Sequence, residues 1–454
     1  MDPRGTYFTS ACTHPAEVPL QTAPRFLQAL SLLLLITLAA GDALAQRGKK
    51  EENEFPNATR AEPRSLKVSE GNSKKINEAY DLLDQGEDEK AREVLQSILD
   101  NPRSSPYEKA LCLQGLAQVL YNQDDIAGAV ETNEKALALD SLDNKSHFNL
   151  VYQVAQMNLM DERYDAALAA VERWIALTGK ETAEAMALKG NALYRLERFP
   201  EASAAMSKAI ALSPEPSDTW QQLLVASYYD AENFTAAAAA AEAALAKNPA
   251  QKTVARQLAS IYIELEQGEK AIQVLEAAKS RGLLTEASDL RQLFQLYNFV
   301  ERPSEAARTI NEGLAAGILK EDLDTLKGLG DAWVLTAQDA ADESVQQTEA
   351  FDKAITAYDR ASPLAKNGEI DFVRAQLLIQ EKERFAEGKL AMSQALSRGG
   401  LKREGEAYIL LGNAEAELGN QAAAIAAYEK ARSFPGTKTM AEAWLRSARG
   451  GRGG

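Results

Sequence analysis

Histidine and cysteine are almost absent from this sequence, and their scarcity removes most catalytic and metal-binding chemistry. The 454 residues include two cysteines, Cys12 and Cys112, and two histidines, His14 and His147. Zinc sites need clusters of these residues, and a catalytic triad needs a base beside its nucleophile. The sequence contains no phosphate-binding loop and no dinucleotide fingerprint. We therefore predict a protein that is not an enzyme and that needs no cofactor and no metal.

The chain also lacks an excess of basic residues. It has 50 Lys and Arg against 66 Asp and Glu, a formal net charge of −16. Phosphate backbones and anionic lipid repel such a protein, which argues against nucleic acid or a membrane surface as the main partner. The Arg-Gly end at 449–454 is too short to change this balance, and we predict that it is a flexible tail.

Long hydrophobic runs are missing except for one near the start. Residues 26–40 read FLQALSLLLLITLAA, follow Arg25 and precede Ala43-Leu44-Ala45. A basic flank, a short apolar run and a small-residue cleavage site describe a secretory signal, and the run is shorter than the roughly 20 residues that cross a bilayer. We predict that 1–45 is a signal peptide cleaved after Ala45. No cysteine follows that site, so we do not expect a lipoprotein or any direct membrane insertion.

Two further features depend on this cleavage. Removal of the leader leaves Cys112 as a single cysteine, which cannot form an intramolecular disulfide. Its apolar neighbours Leu111, Leu113 and Leu116 favour a small buried side chain. Residues 46–72 are polar, contain two prolines and mix charges of both signs, a composition that predicts a disordered arm.

From residue 73 onward, a recurring anchor residue marks ten copies of one unit about 35 residues long. The anchors are Ala79, Ala117, Ala155, Gly190, Val225, Ala259, Phe294, Gly330, Ala375 and Gly412. A fixed period of this size is typical of a stacked helical array. We place this array at 73–436.

The fourth copy illustrates why the residue types recur. Gly190 on a first helix lets a second helix approach closely, and Ala202 does the same from the second helix. Met206 fills the remaining space, and Pro214 stops the second helix. This pattern resembles the tetratricopeptide repeat. The resemblance implies an all-α, right-handed α-solenoid of about ten helix-turn-helix units, whose first helices line the concave face.

Two parts of the array depart from the simple repeat. The eighth unit has extra residues at 338–349, which predict a solvated loop or a lengthened helix pair, with a partner contact as the secondary interpretation. Residues 437–448, which include Trp444, form an amphipathic segment. We predict a capping helix there, because the last repeat of a solenoid must cover its apolar end.

With no catalytic constellation, the remaining function is recognition of another protein or an extended peptide. The concave positions of the repeat register carry amides, tyrosines and arginines, which suit peptide backbone and acidic groups, although solvent-facing helix positions are commonly polar in any case. The predicted partner-binding residues are Tyr152, Gln153, Gln156, Asn191, Tyr194, Arg195, Gln222, Tyr229, Arg256, Gln257, Arg291, Gln292, Gln295 and Asn298.

One specialised version of such a face is disfavoured. Repeats of this family that bind chaperone tails clamp two carboxylates with Lys, Asn and Arg at defined positions of three units. Asn191 occupies one such position, but Leu223 and Gln257 stand where an Asn and a basic residue are required. We therefore do not expect chaperone-tail binding.

The carboxy-terminal half narrows the resemblance further. Residues 368–371 (GEID), 397–402 (SRGGLK) and 406–412 (EAYILLG), with 282–285 (GLLT) and 317–319 (GIL), are similar to exported Gram-negative repeat proteins linked to the TonB system. In that system an inner-membrane motor drives outer-membrane nutrient receptors. The resemblance implies a periplasmic accessory scaffold of a TonB-ExbB-ExbD type system, in contact with transducer or motor subunits.

The sequence leaves a second function open. The same fold and compartment would serve a general cell-envelope assembly scaffold, for cell-wall synthesis, polysaccharide export or outer-membrane protein insertion. The repeat pattern does not separate these two functions. It also does not indicate an oligomeric state.

Overall fold

The computed structural model describes residues 54–450, which fold into helices and connecting turns without a strand. The predicted signal peptide therefore lies outside the described residues. The helices are α1 (Glu70–Asp84), α2 (Asp88–Leu99), α3 (Pro106–Asn122), α4 (Ile126–Ala138), α5 (Asn144–Met160), α6 (Tyr164–Thr178), α7 (Ala183–Arg195), α8 (Phe199–Leu212), α9 (Asp218–Asp230), α10 (Phe234–Lys247), α11 (Lys252–Glu264), α12 (Gly268–Ser280), α13 (Ala287–Phe299), α14 (Pro303–Ala315), α15 (Leu323–Asp339), α16 (Val345–Ala361), α17 (Glu369–Gln380), α18 (Phe385–Arg398), α19 (Glu404–Glu417), α20 (Gln421–Arg432) and α21 (Lys438–Gly450).

The described helices form ten pairs followed by a single helix, which confirms the predicted all-α repeat fold. The chain divides into two compact units, with the boundary between Ile261 and Tyr262 inside α11. We call them the N-terminal unit and the C-terminal unit. Within the N-terminal unit, first helices contact one another, α1 with α3, α5 with α7 and α7 with α9; in the C-terminal unit α17 contacts α19. Among the described residues, none of the helices has the length and apolar content needed to cross a membrane.

The anchors pack against second helices by complementary volume. A Cβ added to Gly190 would lie 2.5 Å from the sulfur of Met206, and one added to Gly412 would lie 2.4 Å from the ring of Tyr428. In the fifth hairpin the anchor on the first helix is the larger residue and its partner on the second helix is the smaller one. Val225 stands opposite Ala241 in the repeat register, and both are buried. In these three hairpins a small residue on one helix faces a larger one on the other, which lets the two helices pack closely without a void.

The turn inside most hairpins contains one residue with left-handed backbone. This residue is seven positions after the anchor, and φ lies between 56° and 76° for Gly86, Asp124, Glu162, Glu197, Glu232, Glu266, Glu301 and Gly419. Six of these eight are acidic residues, although a side chain at positive φ costs about 1 kcal/mol or more relative to glycine. The shared backbone geometry sets the direction in which each second helix leaves its first helix.

The extra residues of the eighth unit lengthen both of its helices. α15 and α16 each contain 17 residues, and residues 340–344 connect them. Of the two structures predicted for this segment, the lengthened helix pair is the one observed. At the end of the chain, α21 packs on α20, with Ala441 and Leu445 buried and the Trp444 ring stacked 5.9 Å from Tyr428. The predicted tail begins inside this helix, and residues 451–454 lie outside the described part.

The segment before α1 differs from the disordered arm that its composition predicts. Phe55 is buried between Phe148 and Trp174, and the Arg60 side chain is 8% exposed in an ion pair with Asp140. Burial of a phenylalanine contributes about 1.5–3 kcal/mol, which offsets part of the cost of ordering the segment; the hydrogen bonds of Arg60 and Thr59 add to it. We call residues 54–62 the N-terminal strap.

The N-terminus of α3 holds a buried carboxylate that fastens the first two hairpins together. Glu108 is 3% exposed and accepts hydrogen bonds from the Ser105 and Ser69 backbone amides, the Ser69 hydroxyl and the Asn72 amide. Burial acts to raise the pKa of Glu108, but these hydrogen bonds outweigh it and lower the pKa from 4.5 to about 2. The folded state therefore favours the ionised form.

This carboxylate gives a testable pH dependence. Its stabilisation is present above about pH 4.5 and is lost as pH falls toward 2, because the unfolded chain takes up the proton first. A shift from 4.5 to about 2 corresponds to about 3 kcal/mol. We expect Glu108→Gln to destabilise α3 at pH 7, and the difference from the parent to shrink below pH 4.5. Hydrogen exchange of the α3 amides measures this difference, and a gap that stays constant from pH 7 to pH 3 would contradict the account.

Candidate protein-binding face

The predicted partner-binding residues lie on the first helices of the hairpins, ten in the N-terminal unit on α5, α7, α9 and α11 and four in the C-terminal unit on α13. Eleven of the fourteen are half-buried or exposed. The half-buried members are Tyr152, Gln153, Asn191, Arg195, Gln222, Tyr229, Arg256, Gln292 and Asn298, and the exposed members are Arg291 and Gln295.

Three predicted residues are buried in the stack instead of being presented to a partner. Gln156, Tyr194 and Gln257 are 8%, 9% and 6% exposed. The Tyr194 hydroxyl donates a hydrogen bond to the Asp230 carboxylate at 2.5 Å, which joins α7 to α9. Burial and this hydrogen bond raise the pKa of Tyr194, and burial raises the pKa of Asp230. Tyr194 therefore holds neighbouring hairpins together.

Five of the other predicted residues form what we call the inner face of the N-terminal unit. It consists of the half-buried Gln153, Asn191, Arg195, Gln222 and Tyr229 on α5, α7 and α9, and contacts between these helices place the residues on one side of the stack. The face carries a single formal charge, and its amides can donate and accept hydrogen bonds along a peptide backbone. Such a surface suits an extended polypeptide better than a charged ligand.

Tyrosines on or beside the inner face pack against aromatic residues of the second helices. The Tyr229 ring centroid lies 5.3 Å from Phe234, and Tyr194 lies 5.4 Å from Phe199 in the preceding hairpin. Tyr152 lies 5.5 Å from Trp174, and burial raises its pKa. Fixed aromatic rings lose little conformational entropy on binding, which favours tyrosine at recognition surfaces.

Sequence reasoning missed part of this face. The same register positions in α3 carry Gln114, Gln118 and Tyr121, all half-buried. Gln118 donates to Asn122 at 2.7 Å, and Asn122 donates to Asp88 at 2.9 Å. Their positions relative to the Ala117 anchor match those of the predicted residues in later repeats. This register could have identified them from the sequence.

One small cavity lies beside the inner face, below its Tyr229 side chain. The cavity beneath Tyr229 and Gln257 measures about 10 Å³, room for one water molecule. In the C-terminal unit, an open cleft of about 630 Å³ lies on the second-helix side, with Trp333 among its lining residues and Lys353 4.5 Å above the ring. Its lining includes Glu349 and Asp352 as well as Lys353 and Arg360, so it has no dominant charge.

The four C-terminal members of the predicted set lie together on α13. Arg291 pairs with Asp322 at 3.4 Å, and Gln295 is exposed. Phe299, at the end of the same helix, is 58% exposed. α13 therefore presents polar side chains and one large apolar side chain within its own unit.

The histidine and the cysteine within the described residues, His147 and Cys112, are both buried. His147 is 7% exposed, and burial followed by the charge of Arg60 lowers its pKa to about 4. Cys112 is fully buried, as predicted, and burial raises the pKa of its thiol to about 12. Neither group is ionised near neutral pH. Within residues 54–450, His, Cys, Asp and Glu side chains form no group of three placed to hold a metal ion.

Two of the sequence stretches on which the predicted TonB link rests, residues 368–371 and 397–402, contact each other in the fold. Gly368 donates its backbone amide to the Gly399 carbonyl at 2.9 Å, and Arg398 binds the fully buried Asp371 carboxylate at 2.7 Å. The Lys402 amide donates to Glu369 at 2.6 Å. We call these contacts the 368–402 clasp. These contacts pack α17, α18 and the start of α19 together. The residue types of the two stretches are therefore explained by packing.

Comparison with known proteins supports the repeat assignment. A tetratricopeptide repeat family model matches residues 159–215, 223–283 and 372–437. No curated protein sequence matches the chain. Similar solved structures include a tetratricopeptide repeat protein from Parabacteroides merdae ATCC 43184, with 15% identity over 58% of this chain and 99% of that chain and a TM-score of 0.37.

Two other similar structures cover different shares of the chain. YrrB, described as a TPR protein with an unusual peptide-binding site, is 18% identical over 40% of this chain and 90% of that chain, with a TM-score of 0.34. A Naa15/Naa10 complex bound to HypK-THB is 12% identical over 84% of this chain and 66% of that chain, with a TM-score of 0.41. The family matches fall on helix pairs whose anchors pack as described above, so within residues 159–283 and 372–437 the sequence match and the helix pairing both indicate tetratricopeptide repeats.

Proposed function

We propose that this protein is a non-enzymatic scaffold that binds an extended segment of another protein on the inner face. The observation that carries the proposal is the row of half-buried amides, Arg195 and Tyr229 on three consecutive first helices in contact. These groups can pair with peptide backbone and carboxylates without a deep pocket. The matched repeat family is one of protein-binding modules, in agreement with this role.

We further propose that the scaffold works in the periplasm as an accessory component of a TonB-ExbB-ExbD type system. The leader-like pattern at 26–45 supports export, and the link to TonB-associated repeat proteins rests on the sequence resemblance of 368–371, 397–402 and 406–412 alone, not on the contacts of the clasp. The net charge of −16 agrees with a protein partner instead of nucleic acid or an anionic membrane surface.

The partner segment that best fits the inner face is Pro-rich and extended. By the stated resemblance, transducers of the TonB type carry such an extended, Pro-rich segment in their periplasmic region. A polyproline II segment is already extended in solution, so less conformational entropy is lost when it binds. Tyrosine rings and amides are the side chains that receive such segments in other proteins.

Affinity capture tests the proposed partner. The mature chain, residues 46–454, is expected to recover the transducer or the motor subunits from cross-linked periplasmic extract, identified by mass spectrometry. An outer-face variant with Ala204→Ser and Ala239→Ser on α8 and α10 should recover the same proteins, because both alanines are exposed on second helices. Recovery of cell-wall or export machinery without transducer components would contradict the TonB assignment.

A further inference from the structure

The N-terminal strap contacts the edge of the second and third hairpins in the manner of an extended peptide ligand. Its first contact is an aromatic anchor: Phe55 is 6% exposed, with its ring centroid 5.0 Å from Phe148 and 6.4 Å from Trp174. The Lys180 ammonium lies 5.1 Å from the same centroid, a cation–π contact. The ring thus enters a pocket formed by α5, α6 and the turn after α6.

Arg60 provides a second anchor, five residues further along. Its Nε donates to the Asp140 carboxylate at 2.7 Å, Nη1 donates to the Asn144 side chain at 2.6 Å, and Nη2 donates to the Leu142 carbonyl at 2.8 Å. All three acceptors lie between the end of α4 and the start of α5. A planar guanidinium with three acceptors in fixed positions gives selectivity that a lysine would not reproduce.

The backbone between the anchors completes the fit. The Thr59 amide donates to the Leu177 carbonyl at 2.9 Å, so the strap caps the C-terminus of α6. Asn57 lies against Gly179, where an added Cβ would come within 2.8 Å of the Asn57 carbonyl oxygen. Beyond the strap, residues 64–67 are exposed and lead to α1. The anchored part is therefore separated from α1 by an exposed connection.

We propose that this edge is a recognition site for an extended segment with an aromatic residue and an arginine five positions downstream, and that the strap occupies it as a ligand in cis. A second copy of this chain carries the same segment and is the partner that fits the site in trans. Because the tethered strap has a high effective concentration, it excludes a second copy until it is displaced. This site is distinct from the inner face and does not depend on the function proposed above.

A labelled peptide tests the proposal on the full mature chain. The probe is the nonapeptide EFPNATRAE, residues 54–62, and the chains are the parent and the variant Phe55→Ala with Arg60→Ala. We expect the peptide to bind the variant chain at least tenfold more tightly than the parent, because the weakened strap no longer competes. A peptide with both anchors replaced by alanine should bind the variant chain at least tenfold more weakly. Fluorescence anisotropy gives all of these affinities.

Two further chains separate recognition from altered folding. The matched control is Arg64→Ala with Leu66→Ala, which also removes one arginine and one large apolar side chain, both exposed and outside the anchors; it should resemble the parent. Adding Asp140→Asn to the anchor variant removes a charged acceptor of Arg60 and should weaken peptide binding. The single variant Arg60→Ala keeps Phe55 and should show an intermediate gain.

Two outcomes would overturn the proposal. One is an anchor variant, or the single Arg60→Ala chain, that retains parental helix content by circular dichroism and yet does not bind the peptide. Another is equal binding of the peptide to the parent and to the anchor variant, which would place the peptide at a different surface. Either result would make the strap a fixed part of the fold.

Discussion

Replacing Gly368 by alanine is expected to destabilise the C-terminal unit by about 2–4 kcal/mol. Gly368 precedes α17, and its missing side chain lets that helix approach the end of α18. A Cβ at this position would lie 2.1 Å from the Ala395 carbonyl oxygen and 2.7 Å from its carbonyl carbon. These atoms belong to the backbone of a helix, so no side-chain rotation relieves the overlap. The two helices must move apart.

The separation would also weaken the rest of the 368–402 clasp. Asp371 is fully buried and accepts hydrogen bonds from the Ser362 hydroxyl at 2.6 Å and from Arg398 at 2.7 Å. A buried carboxylate that loses its partner is strongly unfavourable, and breaking such pairs costs about 3–5 kcal/mol. The effect of one added methyl group thus exceeds its own steric cost.

Thermal unfolding followed by circular dichroism, with hydrogen exchange of the α17 and α18 amides, measures this effect. The matched control is Gly328→Ala in α15 of the same unit, where an added Cβ would lie 3.9 Å from the Ile310 side chain, an ordinary van der Waals contact. Alanine is the better helix former there by about 1 kcal/mol, so this control should be neutral or stabilising. Equal stability of the Gly368 and Gly328 variants would contradict the clasp.

The second large effect concerns binding. A variant with Gln153, Asn191, Arg195 and Gln222 all changed to alanine is expected to bind the Pro-rich transducer segment at least tenfold more weakly, a loss of about 1.4 kcal/mol or more. The four side chains are half-buried on α5, α7 and α9, and alanine is compatible with each helix. Tyr194 is left unchanged because its hydrogen bond to Asp230 joins two hairpins. Isothermal titration with the purified segment gives the affinities.

A control variant on the opposite side of the same hairpins isolates the surface. It combines Ala169→Ser, Ala204→Ser and Ala239→Ser with Lys247→Ala, four exposed positions on α6, α8 and α10. It carries four substitutions and removes one positive charge, as the inner-face variant does. Equal loss of affinity in both variants would mean that the substitutions act through stability or net charge and not through the inner face.

Much of the fold could be predicted from the sequence because the pairing of helices depends on the side-chain volumes of residues that are close in sequence. Gly190 with Met206 and Gly412 with Tyr428 recur at the same sequence spacing, and in each pair the large side chain fills the space where a Cβ on the glycine would be. The hairpin turns were harder to foresee. Glu197 and Glu232 adopt left-handed backbone there, a conformation that glutamate rarely takes, so only the repeat context indicates it.

The strap could not be predicted because its partners are distant in sequence. The composition of 46–72 is polar, and an average over such a segment conceals the two residues that hold it, Phe55 and Arg60. Thr59 contacts a residue 118 positions away, and Arg60 contacts residues 80 to 84 positions away. Neither separation is marked by any local pattern.

The sequence predicted which helices carry the candidate residues but not which of their side chains are buried. The repeat register placed Gln153, Asn191 and Gln222 on the correct helices, and they are half-buried there. It could not show that Gln257 is buried or that Tyr194 is buried and bonded to Asp230 of the next hairpin, since burial depends on the size of the surrounding side chains. The stretches at 368–371 and 397–402 are explained by packing, so they carry information about the fold of the last hairpins.

Site-specific photo-cross-linking tests the central claim most directly, because it locates the partner on the surface. A photoreactive residue at Asn191 or Gln222, on the inner face, is predicted to cross-link to the transducer segment in the mature chain. The same residue at Ala204 or Ala239, exposed on second helices of the same two hairpins, is predicted not to do so. Cross-links from the second-helix positions without any from Asn191 and Gln222 would contradict binding on the inner face.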